Sequence, residues 1–115
     1  MSSVLPENIE NFIRQVVPSF ISWDILICFY KHPKNTGTIS EIAYMIGRSE
    51  KDIKEPLILL VRLTIISARK INEEIGFELN KNSNLYPAFV EFSEYNVSQE
   101  NRLKILSWLL EQNRH

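Results

Sequence analysis

Between Thr38 and Leu60 the chain carries two helix-start signals with one helix stop between them, and no other feature constrains its fold as tightly. Thr38 is followed three residues on by Glu41, the spacing of a capping box, in which each side chain satisfies the other's backbone N–H. Ile39, Ile42, Ala43 and Ile46 then form an apolar stripe at helical spacing. Gly47 is the stop, since glycine takes the left-handed conformation that closes helices without a steric penalty. Ser49 with Asp52 restarts the pattern two residues later, and Ile53, Leu57 and Leu60 give the buried face of the next short helix. The sequence thus predicts two short helices joined by a tight turn.

The flanks extend this pattern. Pro6 and Glu7 suit the first turn of a helix, where a missing N–H costs nothing and a carboxylate meets the positive end of the dipole. Leu5, Ile9, Phe12, Ile13, Val16 and Val17 follow at helical spacing until Pro18. Ser19 or Ser22 can cap a second helix running to about Lys31, apolar on nearly every side and so expected at the centre of the core. His32, Pro33 and residues 34–37 read as its exit loop. After the paired helices, residues 65–71 read as a strand, Asn72, Glu73, Glu74 and Gly76 as a turn, and Phe77-Glu78-Leu79 as the return strand. From Leu85 onward, Phe89, Phe92, Asn96, Gln99, Leu103, Leu106 and Leu110 recur in steps of three and four. We read one continuous helix over about 85–113; the alternative is a break at 96–98 with Ser98 capping a final helix.

Two short helices followed by a β-hairpin is the element order of a winged helix. The expected fold is therefore mainly α with a β-hairpin: a winged helix-turn-helix with extra N- and C-terminal helices. At 115 residues one domain, 1–115, is expected, with the helix-turn-helix at 38–64, the wing at 65–80 and the C-terminal helix or helices, a dimerisation element, at 85–113. Of these residues 44% are hydrophobic and 23% charged, enough for one core and too balanced for disorder. No apolar run approaches the roughly 20 residues of a membrane span, and no basic region followed by an apolar run opens the chain. Cys28 is the only cysteine, which fits a reducing compartment; a cytoplasmic location is expected.

The segment Ser40-Glu41-Ile42-Ala43-Tyr44-Met45-Ile46-Gly47-Arg48-Ser49 resembles the helix-turn-helix core of MarR- and ArsR-type winged-helix regulators. Their usual form there is Ser-Glu-Leu-Ala, two variable residues, Leu-Gly, one variable residue and Ser. The register continues without a gap: Ile53, Leu57 and Leu60 fall on their buried Val, Leu and Leu, and Ile65-Ile66 on the Leu-Val that opens the wing. The resemblance covers about residues 38–80. More loosely, the flanks resemble a set of small, poorly characterised bacterial winged-helix proteins, through Tyr95, Arg102, Ile105 and Leu109. This implies a transcriptional regulator that lays its third helix in the major groove of DNA and touches phosphates with its wing. Arg48, Lys51, Lys54, Arg69 and Lys70 are the DNA-binding candidates. Residues 31–70 carry eight basic against four acidic side chains, a net +4 in a chain of net −1, which can mark a binding face.

Other residues oppose base readout. Asp52 and Glu55 repel phosphate, Ile58 and Leu59 offer no hydrogen bonds, and Pro56 stands inside the third helix, where it removes one backbone bond and kinks or restarts the helix. Thr64 stands where the related regulators place a glycine. The alternative function is a winged-helix protein–protein adaptor, with Ile58, Leu59, Val61, Leu103, Leu106 and Leu110 as interface candidates and a homodimer or protein partner as occupant. A third reading places a small apolar ligand between the first and last helices. Trp23, Phe29, Tyr30, Phe89, Phe92 and Trp108 sit on apolar stripes and are read as core or dimer seam. No catalytic role, metal site or cofactor is expected. His32 and His115 share no ligand spacing, Cys28 falls on the most apolar helix, and the three glycines read as turn residues rather than a phosphate loop.

Overall fold

The structure, a computed structural model, describes residues 5–32 and 36–112. Residues 33–35 of the expected exit loop and His115 lie outside the described residues. Among those described, the chain is mainly helical with one small antiparallel sheet: α1 (Glu7–Val16), α2 (Phe20–Lys31), β1 (Thr36–Thr38), α3 (Ile39–Ile46), α4 (Glu50–Arg62), β2 (Ile66–Ile71), β3 (Glu74–Leu79), α5 (Tyr86–Tyr95) and α6 (Gln99–Gln112). None of these helices is long and apolar enough to cross a membrane alone.

The local signals act as their chemistry requires. Ser19 caps α2, its hydroxyl accepting from the Ser22 N–H at 3.2 Å. Thr38 accepts from the Glu41 N–H while the Glu41 carboxylate accepts from the Thr38 N–H at 2.9 Å, so the capping box is complete. Gly47 has φ +70° and ends α3 in the left-handed region. Ser49 caps α4 by accepting from the Asp52 N–H at 3.1 Å. Pro56 neither stops nor restarts α4, which is assigned as one helix from Glu50 to Arg62.

The sheet order is β1-β3-β2, with both pairings antiparallel. β2 and β3 form the expected ribbon, in register from Ile66↔Leu79 to Ile71↔Glu74. Its turn is tighter than the sequence suggests. Only Asn72 (φ 49°) and Glu73 (φ 74°) lie outside the strands, the double left-handed step that matches strand twist in a two-residue hairpin. Glu74 and Gly76 therefore belong to β3, and Gly76 is not a turn residue: a β-carbon there would stand 2.7 Å from Cδ1 of Ile71, which crosses it. β1 is an addition. Thr36 and Gly37, expected as loop, pair with Glu78 and Phe77 of β3.

The core gathers the inner faces of every helix. α2 packs on α3, α4 and α5, as its apolar girth predicts, and α1 packs on α5. Ile13, Ile25, Leu26, Ile42, Ile53, Leu57, Leu60, Ile65, Ile66, Phe89, Phe92 and Ile105 are fully buried, each contributing about 1.5–3 kcal/mol of transfer free energy. Phe12 and Phe92 stack with centroids 5.1 Å apart, and Tyr30 meets Phe89 edge-on at 6.2 Å.

The expected continuous helix over 85–113 is corrected by the break between Tyr95 and Gln99. Asn96 is buried and holds the Trp23 indole N–H at 2.9 Å. Ser98 caps the new helix by accepting from the Asn101 N–H at 3.3 Å, and the Arg102 guanidinium donates to the carbonyls of Asn96 and Val97 at 3.0 and 2.6 Å. The guanidinium thus satisfies carbonyls freed just beyond the end of α5, where the chain turns. The turn also resets the apolar face: Ile105 and Leu109, not Leu103 and Leu110, are the buried residues of α6.

Candidate functional site

An apolar concavity lies between the outer side of α4 and one face of the β2–β3 hairpin, with Thr38, Ile39 and Ser40 at the start of α3 beside them. α4 turns Ile53, Leu57 and Leu60 inward and leaves Lys51, Lys54 and Glu55 exposed, with Ile58 and Val61 half-buried beside them. Along the hairpin, side chains alternate between faces. The register Ile66↔Leu79, Ala68↔Phe77, Lys70↔Ile75 therefore puts all six of these on one face. Its root is buried by the core, whereas its tip reaches past the core, leaving Ile75 59% exposed.

The groove between these surfaces has a volume of about 640 Å³. Its apolar lining comes from Ile39 of α3, Leu57, Ile58 and Val61 of α4, and Ala68, Ile75 and Phe77 of the hairpin. Glu50, Lys54 and Arg62 stand on its α4 side and Glu74 on its hairpin side, and Glu50 is engaged by the Ser40 hydroxyl at 2.8 Å. The volume falls within the range of concave binding sites, whose linings are likewise mostly apolar with few polar groups.

The five DNA-contact candidates do not form one basic surface. Arg48 is bound to Asp24 of α2, with both Nε and Nη2 3.0 Å from Oδ2, which ties the α3–α4 turn to the core helix. Arg69 and Lys70 occupy opposite faces of the hairpin. Arg69 reaches Glu78 at 3.4 Å on the face away from the groove, and Lys70 shares the groove face. Lys51 and Lys54 are exposed on α4 but stand among Glu50, Asp52 and Glu55. From residue 48 to 79, six basic side chains meet six acidic ones.

The apolar candidates divide as well. Ile58 and Val61 line the groove; Leu59 is half-buried and does not. Leu103 and Leu110 are 58% and 52% exposed on α6, with Leu106 half-buried between them. The sequence reading missed Ala68, Ile75 and Phe77 as groove residues. The period-two alternation that marks the strands held the signal, because it puts these three on the face that continues Ile66 and Leu79 beyond the core.

Elsewhere chemistry-bearing groups are sparse. Cys28 is buried, and burial pushes its thiol above the ordinary range, which leaves little thiolate to act as nucleophile. Among the described residues no three His, Cys, Asp or Glu side chains are placed to hold a metal ion. In comparisons with family models, curated proteins and solved structures, nothing matches this chain.

Proposed function

We propose that the chain is a winged-helix domain used for protein association, with the groove between α4 and the hairpin as its docking surface. The order α2-β1-α3-α4-β2-β3 and the sheet order β1-β3-β2 support the winged-helix reading. One observation carries the functional part: the surface between α4 and the hairpin is an apolar groove flanked by balanced charge. A DNA reader of this type needs hydrogen-bonding side chains at base edges and unpaired cations at phosphates. Here Ile58 and Val61 occupy the first role's place on α4, and Arg48 and Arg69 are engaged by carboxylates. An amphipathic helix fits such a groove by its i, i+3 and i+7 side chains.

A titration with a labelled leucine-rich amphipathic helical peptide tests this reading. The wild type binds it, Ile58→Glu does not, and Lys51→Ala leaves the affinity unchanged. The second reading, a DNA-binding regulator, is favoured by the exposed Lys51, Lys54 and Lys70. A mixed-sequence duplex bound at low salt by the wild type, weakened by Lys51→Ala and indifferent to Ile58→Glu, overturns the docking proposal in its favour.

A further inference from the structure

A second cavity, of about 490 Å³, shares no residue with the groove. Trp23, Asp24, Ile27 and Lys31 of α2 line one side of it, and Asn96 at the α5–α6 turn with Arg102 of α6 the other. Asn96 is the informative residue. It is 6% exposed, and its Oδ1 accepts the Trp23 indole N–H at 2.9 Å. An indole N–H can only donate, so the oxygen must face Trp23 and the amide nitrogen is left over. That nitrogen has no partner among the described residues and, unlike the hydroxyls of Ser93 and Tyr95, it is not sealed from solvent. It is a donor held in place beside the cavity, and such a group is costly to leave unmet.

The charges around it have one sign. Asp24, the one carboxylate in the lining, is taken by Arg48, with Nε and Nη2 both 3.0 Å from Oδ2. Lys31 forms no ion pair among the described residues. Arg102 spends only Nη1, on the carbonyls of Asn96 and Val97, so its Nε and Nη2 remain without partners among the described residues and its charge without a counter-charge. The cavity thus offers two uncompensated cations and a fixed amide donor, in a chain of net charge −1. We propose that it binds the phosphate group of a small phosphate ester, with Lys31, Arg102 and Asn96 Nδ2 donating to the phosphate oxygens. Two cations match the charge of about −1.5 to −2 that a phosphomonoester carries at pH 7, whereas a carboxylate would leave one unmatched. Trp23 and Ile27, both half-buried, give the organic part an apolar wall. The volume lies in the range of small-molecule sites.

Side-chain NMR tests the assignment, because the Trp23 Nε1–H and Asn96 Nδ2–H signals belong to the site itself. The probes are phenyl phosphate, inorganic phosphate, benzoate and a mixed-sequence duplex, all at one ionic strength. Phenyl phosphate should shift both signals and saturate, inorganic phosphate and benzoate should bind more weakly, and the duplex should leave both signals unmoved. Lys31→Gln, at an exposed position, should weaken phenyl phosphate about tenfold, the scale of one hydrogen bond to a charged group. Asn96→Asp keeps an oxygen for the Trp23 N–H but puts a carboxylate where the donor was, and should abolish binding with the Trp23 signal retained. Should that variant not fold, Lys31→Gln decides alone. Shifts that never saturate, benzoate as tight as phenyl phosphate, or an affinity unmoved by Lys31→Gln overturn the proposal. Inorganic phosphate as tight as phenyl phosphate overturns the ester in favour of the free ion, and duplex-induced shifts of the same signals overturn it in favour of a nucleic-acid backbone. None of these results bears on the groove, whose peptide titration is read at other residues.

Discussion

Arg48 at the turn between α3 and α4 places its Nη2 atom 3.0 Å from Oδ2 of Asp24 in α2. The pair fixes the angle at which the two short helices leave the core, and it removes one cation from the surface a nucleic acid would meet. Both side chains are partly exposed, at 35% and 45%, so solvent screens the attraction. We expect Arg48→Ala and Asp24→Ala each to lower stability by less than about 1 kcal/mol, with a favourable coupling in the double-mutant cycle measured by urea unfolding.

Thr64 adopts φ 69°, a left-handed conformation that costs a β-branched residue about 1–2 kcal/mol. Its hydroxyl lies 3.0 Å from that of Ser83, and its carbonyl accepts from Asn80 Nδ2 at 2.8 Å. These bonds hold the strained turn from which β2 departs. Ser83→Ala loses this partner and the bond to the Leu85 N–H, and should cost about 1–2 kcal/mol. In that background Thr64→Gly should recover about 1 kcal/mol by relieving the backbone, whereas in the wild type its gain and loss nearly cancel. Thermal unfolding of the four proteins checks the signs.

Much of the fold was legible because its punctuation is local. The Thr38–Glu41 box, the Gly47 stop and the Ser49 cap each act within four residues, so their consequences can be read from sequence. β1 was not legible: Thr36-Gly37-Thr38 is too short to show a period, and its pairing with β3 joins residues some forty positions apart. The α5–α6 break was legible only as an alternative, since the bond from Trp23 to Asn96 that helps fix it crosses 73 positions. The basic candidates were found by residue type, but their partners Asp24 and Glu78 come from other elements. The groove escaped notice because its two walls have ordinary patterns, and only their tertiary placement makes a concavity.

Tyr95 has a hydroxyl excluded from solvent with no hydrogen-bond partner among the described residues, and burial, followed by the nearby Glu100 charge, raises its pKa. Burial also raises that of Cys28. In both cases the folded chain holds its proton to higher pH than the unfolded chain, whose groups titrate at their ordinary values of 9.0 for Cys and 10.0 for Tyr. Their contribution is therefore complete below those values and lost as pH rises through them. Stability should fall above about pH 9, with a shallower fall in the Cys28→Ala, Tyr95→Phe double variant. At pH 7 Tyr95→Phe alone should stabilise by about 1 kcal/mol, because it removes an unsatisfied buried polar group.

The most direct test of the groove as the working surface is an amide NMR map of one isotope-labelled sample titrated separately with the helical peptide and with a mixed-sequence duplex at low salt. Peptide-induced shifts concentrated at Leu57, Ile58, Val61, Ala68, Ile75 and Phe77, with none from the duplex, are the predicted result. Duplex-induced shifts centred on Lys51, Lys54 and Lys70, with the groove unmoved by peptide, would contradict the account.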